Sequence, residues 1–228
     1  MVATRLARVP PFERGLTLGD FLVPIRLGER AAAWQRNLLM ISACTLLIIL
    51  GARISFYLPG YPEVPVSLQT FGVLIGGALL GFKRALAAVG LYIALGAIGL
   101  PVFAWDATSE TYRSGLSTIV GLREGAFVLG GTGGYIVGFL VAAGVVGRLA
   151  ELGWDRRFTG SVAAMLVGNL VIYLVGVPWL MLAAGQDLAW AIQRGFFPFF
   201  FGDLLKLAVA AGLLPIGWWL VRRRSTDL

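Results

Sequence analysis

The chain of 228 residues has no histidine and one cysteine, Cys44. The missing histidine excludes hydrolases built on a Ser-His pair, intramembrane proteases of that kind included, and histidine metal sites. A lone cysteine forms no internal disulfide, and within an apolar run it says nothing of redox compartment. Charged residues make up 14% of the chain, well under the usual quarter. No Gly-Lys-Ser/Thr triplet closes a glycine-rich stretch, so the sequence carries no phosphate loop and no ATPase of its own. No short apolar segment with a small-residue cleavage site precedes the first long apolar run at Leu38, so a signal peptide is not expected.

What is abundant points to a membrane. Hydrophobic residues are 58% of the chain and glycine occurs 31 times; mean hydropathy is +0.82. Small residues let transmembrane helices approach closely. The expected class is an all-α polytopic membrane protein with no room for a second sizeable soluble domain. The net charge of +7 would point to nucleic acid in a soluble protein; here membrane orientation accounts for it, and no nucleic-acid partner is expected.

At roughly 20 residues per crossing, six transmembrane helices are expected: Leu38–Leu58, Val66–Phe82, Ala85–Phe103, Ala126–Leu149, Phe158–Ala184 and Phe196–Val221. They form a membrane domain over residues 37–221. A basic segment, 1–36, precedes it, with a short amphipathic surface helix after Thr17 as one reading and a disordered tail as the other. A basic tail, 222–228, follows. The cations set the orientation. Arg5, Arg8, Arg14, Arg26, Arg30, Arg36, Lys83, Arg84, Arg148, Arg156, Arg157 and Arg222 to Arg224 fall on one side of a six-crossing chain. Arg53, Arg113, Arg123, Arg194 and Lys206 lie in spans or in the opposite links. Both termini are therefore expected in the cytoplasm.

Polar residues inside such spans are the candidates for function. Asp203 and Lys206 stand three apart in a run that is otherwise apolar, so on a helix they share a face. A charge at mid-membrane costs roughly 2.5–3.5 kcal/mol on insertion scales, so the pair is either a structural ion pair or a site for a polar solute. Gln69, flanked by Ser67 and Thr70 at the mouth of the second span, presents both donors and an acceptor to an amide-like ligand; Ser67 also suits a helix cap. Gly130-Gly-Thr-Gly-Gly-Tyr135 lets a ligand or a helix reach the backbone around Thr132. Tyr135 suits stacking on a flat solute or anchoring at the interface. Asn169 and Tyr173 share a face of the fifth span, where an interhelical hydrogen bond is the usual role. The link Ala104–Gly125 is polar and long, either a lid or an excursion.

Taken in order, Pro65-Val-Ser-Leu-Gln-Thr-Phe71, Leu95-Gly-Ala-Ile-Gly-Leu-Pro-Val-Phe103, Gly130-Gly-Thr-Gly-Gly-Tyr135, Gly153-Trp-Asp-Arg-Arg157, Ile172-Tyr173, Pro178-Trp-Leu180 and Gly202-Asp-Leu-Leu-Lys206 resemble the BioY family. These are the biotin-specific substrate-binding (S) components of energy-coupling-factor (ECF) transporters. The resemblance spans residues 17–220. Gly131 stands where that family usually has proline, the link after Phe103 is longer than usual, and the first span lacks the Ala-x-x-x-Ala pair through which S components often dock. The resemblance implies six membrane helices in an S-component-like bundle, a vitamin pocket near the outer face, a bacterial cell membrane and no cofactor. It implies three kinds of partner: biotin, a membrane coupling protein (T component) and a pair of ABC-type ATPases. Against biotin, Asp203 as acceptor and Lys206 as donor match the two sides of a ureido group. Lys206, Arg53, Arg113 and Arg123 are all candidates for its carboxylate. Another vitamin, such as riboflavin or thiamine, is the alternative ligand. A lipid-modifying membrane enzyme with Asp203 as base, or a scaffold, are readings from other classes; no catalytic or metal-binding residue is expected.

Overall fold

The computed structural model describes residues 15–22, 30–106, 109–123 and 126–226. Their helices are α1 Leu18–Leu22, α2 Arg30–Arg53, α3 Gln69–Leu80, α4 Phe82–Ala97, α5 Gly133–Glu151, α6 Phe158–Ala184, α7 Leu188–Gly195 and α8 Phe200–Thr226. Helix α5 lies centrally, packed against α3, α4 and α6, and α8 packs on α6 and α3. Among the described residues, four helices are long and apolar enough to cross a membrane: Ala33–Arg53, Gly133–Glu151, Phe158–Ala184 and Phe200–Arg223. The second and third expected spans are shorter helices, α3 with 12 residues and α4 with 16. At 1.5 Å per residue they reach only about 18 and 24 Å, against a hydrocarbon core of roughly 30 Å. Gly81, at φ +76°, makes the turn between them; this left-handed region favours glycine.

The expectation of an all-helical chain is corrected at three hairpins. The first span ends at Arg53 rather than Leu58, because Ser55–Leu58 is strand β1, paired antiparallel with β2 Tyr61–Ser67 around Pro59-Gly60. Proline and glycine turn the chain there, and the flanking aromatic and β-branched residues suit strands as well as they suit apolar helices. Strands β3 Trp105–Asp106 and β4 Thr111–Tyr112 pair within the long link. The fourth span begins at Gly133 rather than Ala126, because Val120–Arg123 (β5) pairs with Ala126–Leu129 (β6).

All three hairpins and α7 gather at one end of the bundle. The Trp105 amide donates to Ser55 Oγ at 3.1 Å, Tyr57 donates to Trp105 O at 3.0 Å, and Arg194 bridges to Glu63 at 3.1 Å. The other end is basic. There α1 is tucked between α3 and α8, Thr17 and Leu18 are buried, and Thr17 Oγ1 donates to Leu79 O at 2.7 Å. Arg84 forks onto Asp20 through Nη1–Oδ1 at 2.7 Å and Nη2–Oδ2 at 2.9 Å. Burial acts to raise the Asp20 carboxyl, but the Arg84 and Thr17 hydrogen bonds outweigh it and hold Asp20 below its ordinary value. In the link between α5 and α6, Asp155 is fully buried and accepts from Trp218 Nε1 at 2.6 Å. Burial pushes this carboxyl up to about 6, with Trp218 and Arg156 opposing the rise. Arg5, Arg8, Arg14 and Arg26 of the charge pattern lie outside the described residues.

Candidate ligand site

At the hairpin end the helices surround a cavity. Val64, Phe103, Ile136, Phe139, Ile172 and Phe199 give it an apolar wall. Its polar groups fall into two hydrogen-bonded sets.

The first set is centred on α8. Asp203 and Lys206 lie one turn apart and pair at 2.7 Å, their side chains only 6% and 12% exposed. Lys206 Nζ also donates to Ser67 O at 2.7 Å and to Thr70 Oγ1 at 3.3 Å. Tyr173 OH donates to Asp203 Oδ2, and Thr70 Oγ1 lies 3.4 Å from Asp203 Oδ1. Beside them Gln69, buried at the start of α3, donates to Tyr92 OH and accepts from Ser67 Oγ at 2.9 Å. Three segments thus converge: β2 with the first turn of α3, the middle of α6, and the first turn of α8.

The second set comes from the long link. Arg113 Nη1 donates to Thr132 Oγ1 and Nη2 to Tyr57 OH, both at 3.1 Å, and Nη2 lies 3.4 Å from Asp106 Oδ1. Arg113 lines both this cavity and an adjoining polar cleft that holds Asp106 and Thr118. It therefore stands between the interior and the hairpin-end surface.

Tyr135 forms part of the wall, with its hydroxyl donating to Gly195 O at 2.8 Å. Its ring is seated on glycines: a Cβ at Gly176 would stand 2.5 Å from Tyr135 Cδ1, and one at Gly195 would stand 2.2 Å from its hydroxyl. A side chain at either position would collide with the Tyr135 ring or its hydroxyl as they stand.

Five of the residues expected from sequence, Asp203, Lys206, Gln69, Thr132 and Tyr135, border this one cavity. Two do not. Arg53 is exposed outside it, stacked 3.8 Å from the centre of the Tyr112 ring and donating to Pro101 O at 2.7 Å. Asn169 is on α6 but off the lining, with Oδ1 buried and unpartnered among the described residues. Its helical neighbour Tyr173 reaches the site instead. Of the cations weighed for a carboxylate, Arg113 and Lys206 line the cavity, and the Arg123 side chain lies outside the described residues. The signal for Tyr173 was its place on one face with Asn169; nothing in the spacing said which of the two would reach inward.

The arrangement is that of a binding site. It offers an apolar slot, one carboxylate–ammonium pair and, in a separate hydrogen-bonded set, one guanidinium.

Residues 26–223 match the model of the BioY family. A protein described as a biotin transporter BioY from Thermotoga maritima is 39% identical over 177 residues, covering 78% of this chain and 92% of that relative. Another of that description from Rhodobacter capsulatus is 36% identical over 191 residues, covering 77% and 89%. The fold resembles a solved structure described as the S-component for biotin from an ECF-type ABC transporter, with a TM-score of 0.67 and 23% identity over 82% of this chain and 93% of that one. With a family model matching most of its length and relatives of this identity along nearly their full length, the chain belongs to the BioY family.

Proposed function

We propose that this protein takes up biotin across the bacterial cytoplasmic membrane as the substrate-binding component of an ECF-type transporter. It is a multi-pass membrane protein and a transport component, not an enzyme. The observation that carries the reading is the two-set division of polar groups around one apolar cavity. Biotin has a ureido head, an apolar bicycle and tail, and a terminal carboxylate. The Asp203–Lys206 set reads the ureido group, the aromatic and aliphatic wall takes the bicycle and tail, and Arg113 meets the carboxylate. Arg113 takes the role for which Arg53 was also a candidate.

The topology supports six crossings with the hairpin end outside. Helices α2, α3, α4, α5, α6 and α8 run alternately between the two ends, with links at the basic end around Gly81 and Leu152–Arg157. The cation bias places that end, and both termini, in the cytoplasm. The cavity then opens toward the outer face, and the Ala104–Gly125 link, which supplies Arg113, acts as its cover. A T component and a pair of ABC-type ATPases complete the transporter, since this chain has no phosphate loop.

Calorimetric titration of the purified chain tests the reading. Biotin should saturate one site, while riboflavin and thiamine give no binding heat. Equal binding of either vitamin, or no binding of biotin, contradicts it.

A further inference from the structure

A second cavity, open to the surface, lies at the basic end. Four cations line it, Arg36, Lys83, Arg84 and Arg148, with two carboxylates, Asp20 and Glu151. The carboxylates are already matched. Arg84 takes both oxygens of Asp20, and Arg148 bridges to Glu151 at 2.9 Å. Arg36 reaches only the already shared Asp20 Oδ1, at 3.4 Å, and its Nε is buried without a hydrogen-bond partner. Lys83 is exposed and makes no ion pair among the described residues. Among the described residues the cavity therefore holds a surplus of two positive charges, and the Arg36 Nε–H is unused.

The chemistry that complements it is a phosphate, which takes guanidinium forks in bidentate fashion and accepts an ammonium as a point charge. Its place in the fold selects the source. Arg36 lies in the first turns of α2, Lys83 in the first turn of α4 and Arg148 in the last turn of α5, where helices enter the bilayer. Phe82 borders the same cavity and is half-exposed, and Leu39, one turn on from Arg36 on the same face of α2, is exposed. A headgroup in the cavity would have apolar surface beside it for its acyl chains. Basic pockets between helices at this depth are where anionic headgroups bind.

We propose that the cavity bounded by Arg36, Lys83, Arg84 and Arg148 binds the phosphate of an anionic phospholipid. Arg36 and Lys83 are its direct ligands, and Asp20 and Glu151 hold the other two cations in place. The proposal does not depend on which vitamin the hairpin-end cavity takes.

The test is native mass spectrometry of the full chain released from detergent with phosphatidylglycerol or phosphatidylcholine, with unfolding temperature measured in parallel. Phosphatidylglycerol should bind about tenfold more tightly than phosphatidylcholine, and Lys83→Gln, at an exposed position, should reduce that preference about fivefold. Arg36→Gln with Lys83→Gln should abolish it, whereas Arg222→Gln with Arg223→Gln in the last turns of α8 (the tail variant) should leave it intact. Equal binding of the two lipids by the wild type overturns the proposal. So does a tail variant as damaging as the cavity variant, because the effect is then a diffuse field. Displacement of phosphatidylglycerol by inorganic phosphate at matched ionic strength assigns the site to the free anion and overturns the lipid source. An Arg36→Gln variant that fails to unfold cooperatively is set aside, and the exposed Lys83→Gln then decides alone: an unchanged preference overturns the proposal.

Discussion

The two ends of the bundle each hold a half-sealed carboxylate–cation pair, and they use it differently. Asp203–Lys206 at the hairpin end has side chains 6% and 12% exposed; Asp20–Arg84 at the basic end has 12% and 17%. Burial alone does not separate them, but acceptor occupancy does. An ionised carboxylate has about four lone-pair sites. Asp20 accepts from Arg84 Nη1 and Nη2 and from Thr17 N, with Arg36 also in range, so its four sites are taken while the Thr17 hydroxyl gives its one hydrogen to Leu79 O. Asp203 accepts from Lys206 and Tyr173 and at a long 3.4 Å from Thr70. It keeps acceptor capacity, and an apolar cavity stands in front of it. The carboxylate is a fastener where its acceptor sites are filled and a receptor where they are not; the three Lys206 N–H groups are held by Ser67, Thr70 and Asp203 and have to be shared with a ligand.

This contrast is sharpened most by breaking the fastener. Asp20→Asn leaves Arg84 facing an amide with Arg36 beside it, and loss of one partner of a buried pair costs about 3–5 kcal/mol. We expect a drop of that order in unfolding free energy in micelles and an unchanged biotin affinity for the folded protein. A large affinity loss with little loss of stability would reverse the roles of the two pairs.

Arg113→Gln comes next. A hydrogen bond to a charged group is worth about 1.5–3 kcal/mol, so biotin should bind roughly ten- to a hundredfold more weakly. Biotin amide, which lacks the carboxylate, should bind the variant and the wild type alike. Equal losses for both ligands would remove Arg113 from the carboxylate.

The smallest effect concerns pH at the basic end. The Asp155 carboxyl is raised to about 6 when folded, so the folded state holds its proton where the unfolded chain has released it. Its stabilisation is complete below the unfolded value near pH 4 and is lost as pH rises through about 6. Asp20, held below its ordinary value, has the opposite sign: its contribution is present above about pH 4 and is lost as pH falls through the folded value. Asp155→Asn should therefore flatten the stability profile between about pH 4 and 6 by ~1–3 kcal/mol, leaving the acid limb below it. An unchanged slope between those values would count against the buried carboxyl.

The sequence made Asp203 and Lys206 legible because two charges one turn apart in an apolar helix have few roles, and the helix itself puts them together. Gln69, Thr132 and Tyr135 were legible as polar or glycine-flanked positions where elements begin. Arg113 was one cation among several, since its place depends on a hairpin that carries it back over α5 to Thr132. Arg53 falls outside the cavity, because spacing along α2 does not fix which way its last turn faces. The long helices were plain from hydropathy. The hairpins were not, because Ser55–Leu58 and Ala126–Leu129 are as apolar as the spans they adjoin, and a short apolar run does not by itself tell a strand from the end of a helix.

The most direct measurement of the central claim is biotin titration of the double variant Asp203→Asn with Lys206→Met, alongside its unfolding profile. Removing both charges avoids stranding either one, and Thr70, Ser67 and Tyr173 remain to satisfy neighbouring groups. The account predicts a cooperatively folded protein whose biotin affinity has fallen by about a hundredfold or more, two charged contacts having been lost at roughly 1.5–3 kcal/mol each. A folded double variant with near wild-type affinity would contradict it and make Asp203–Lys206 a second fastener.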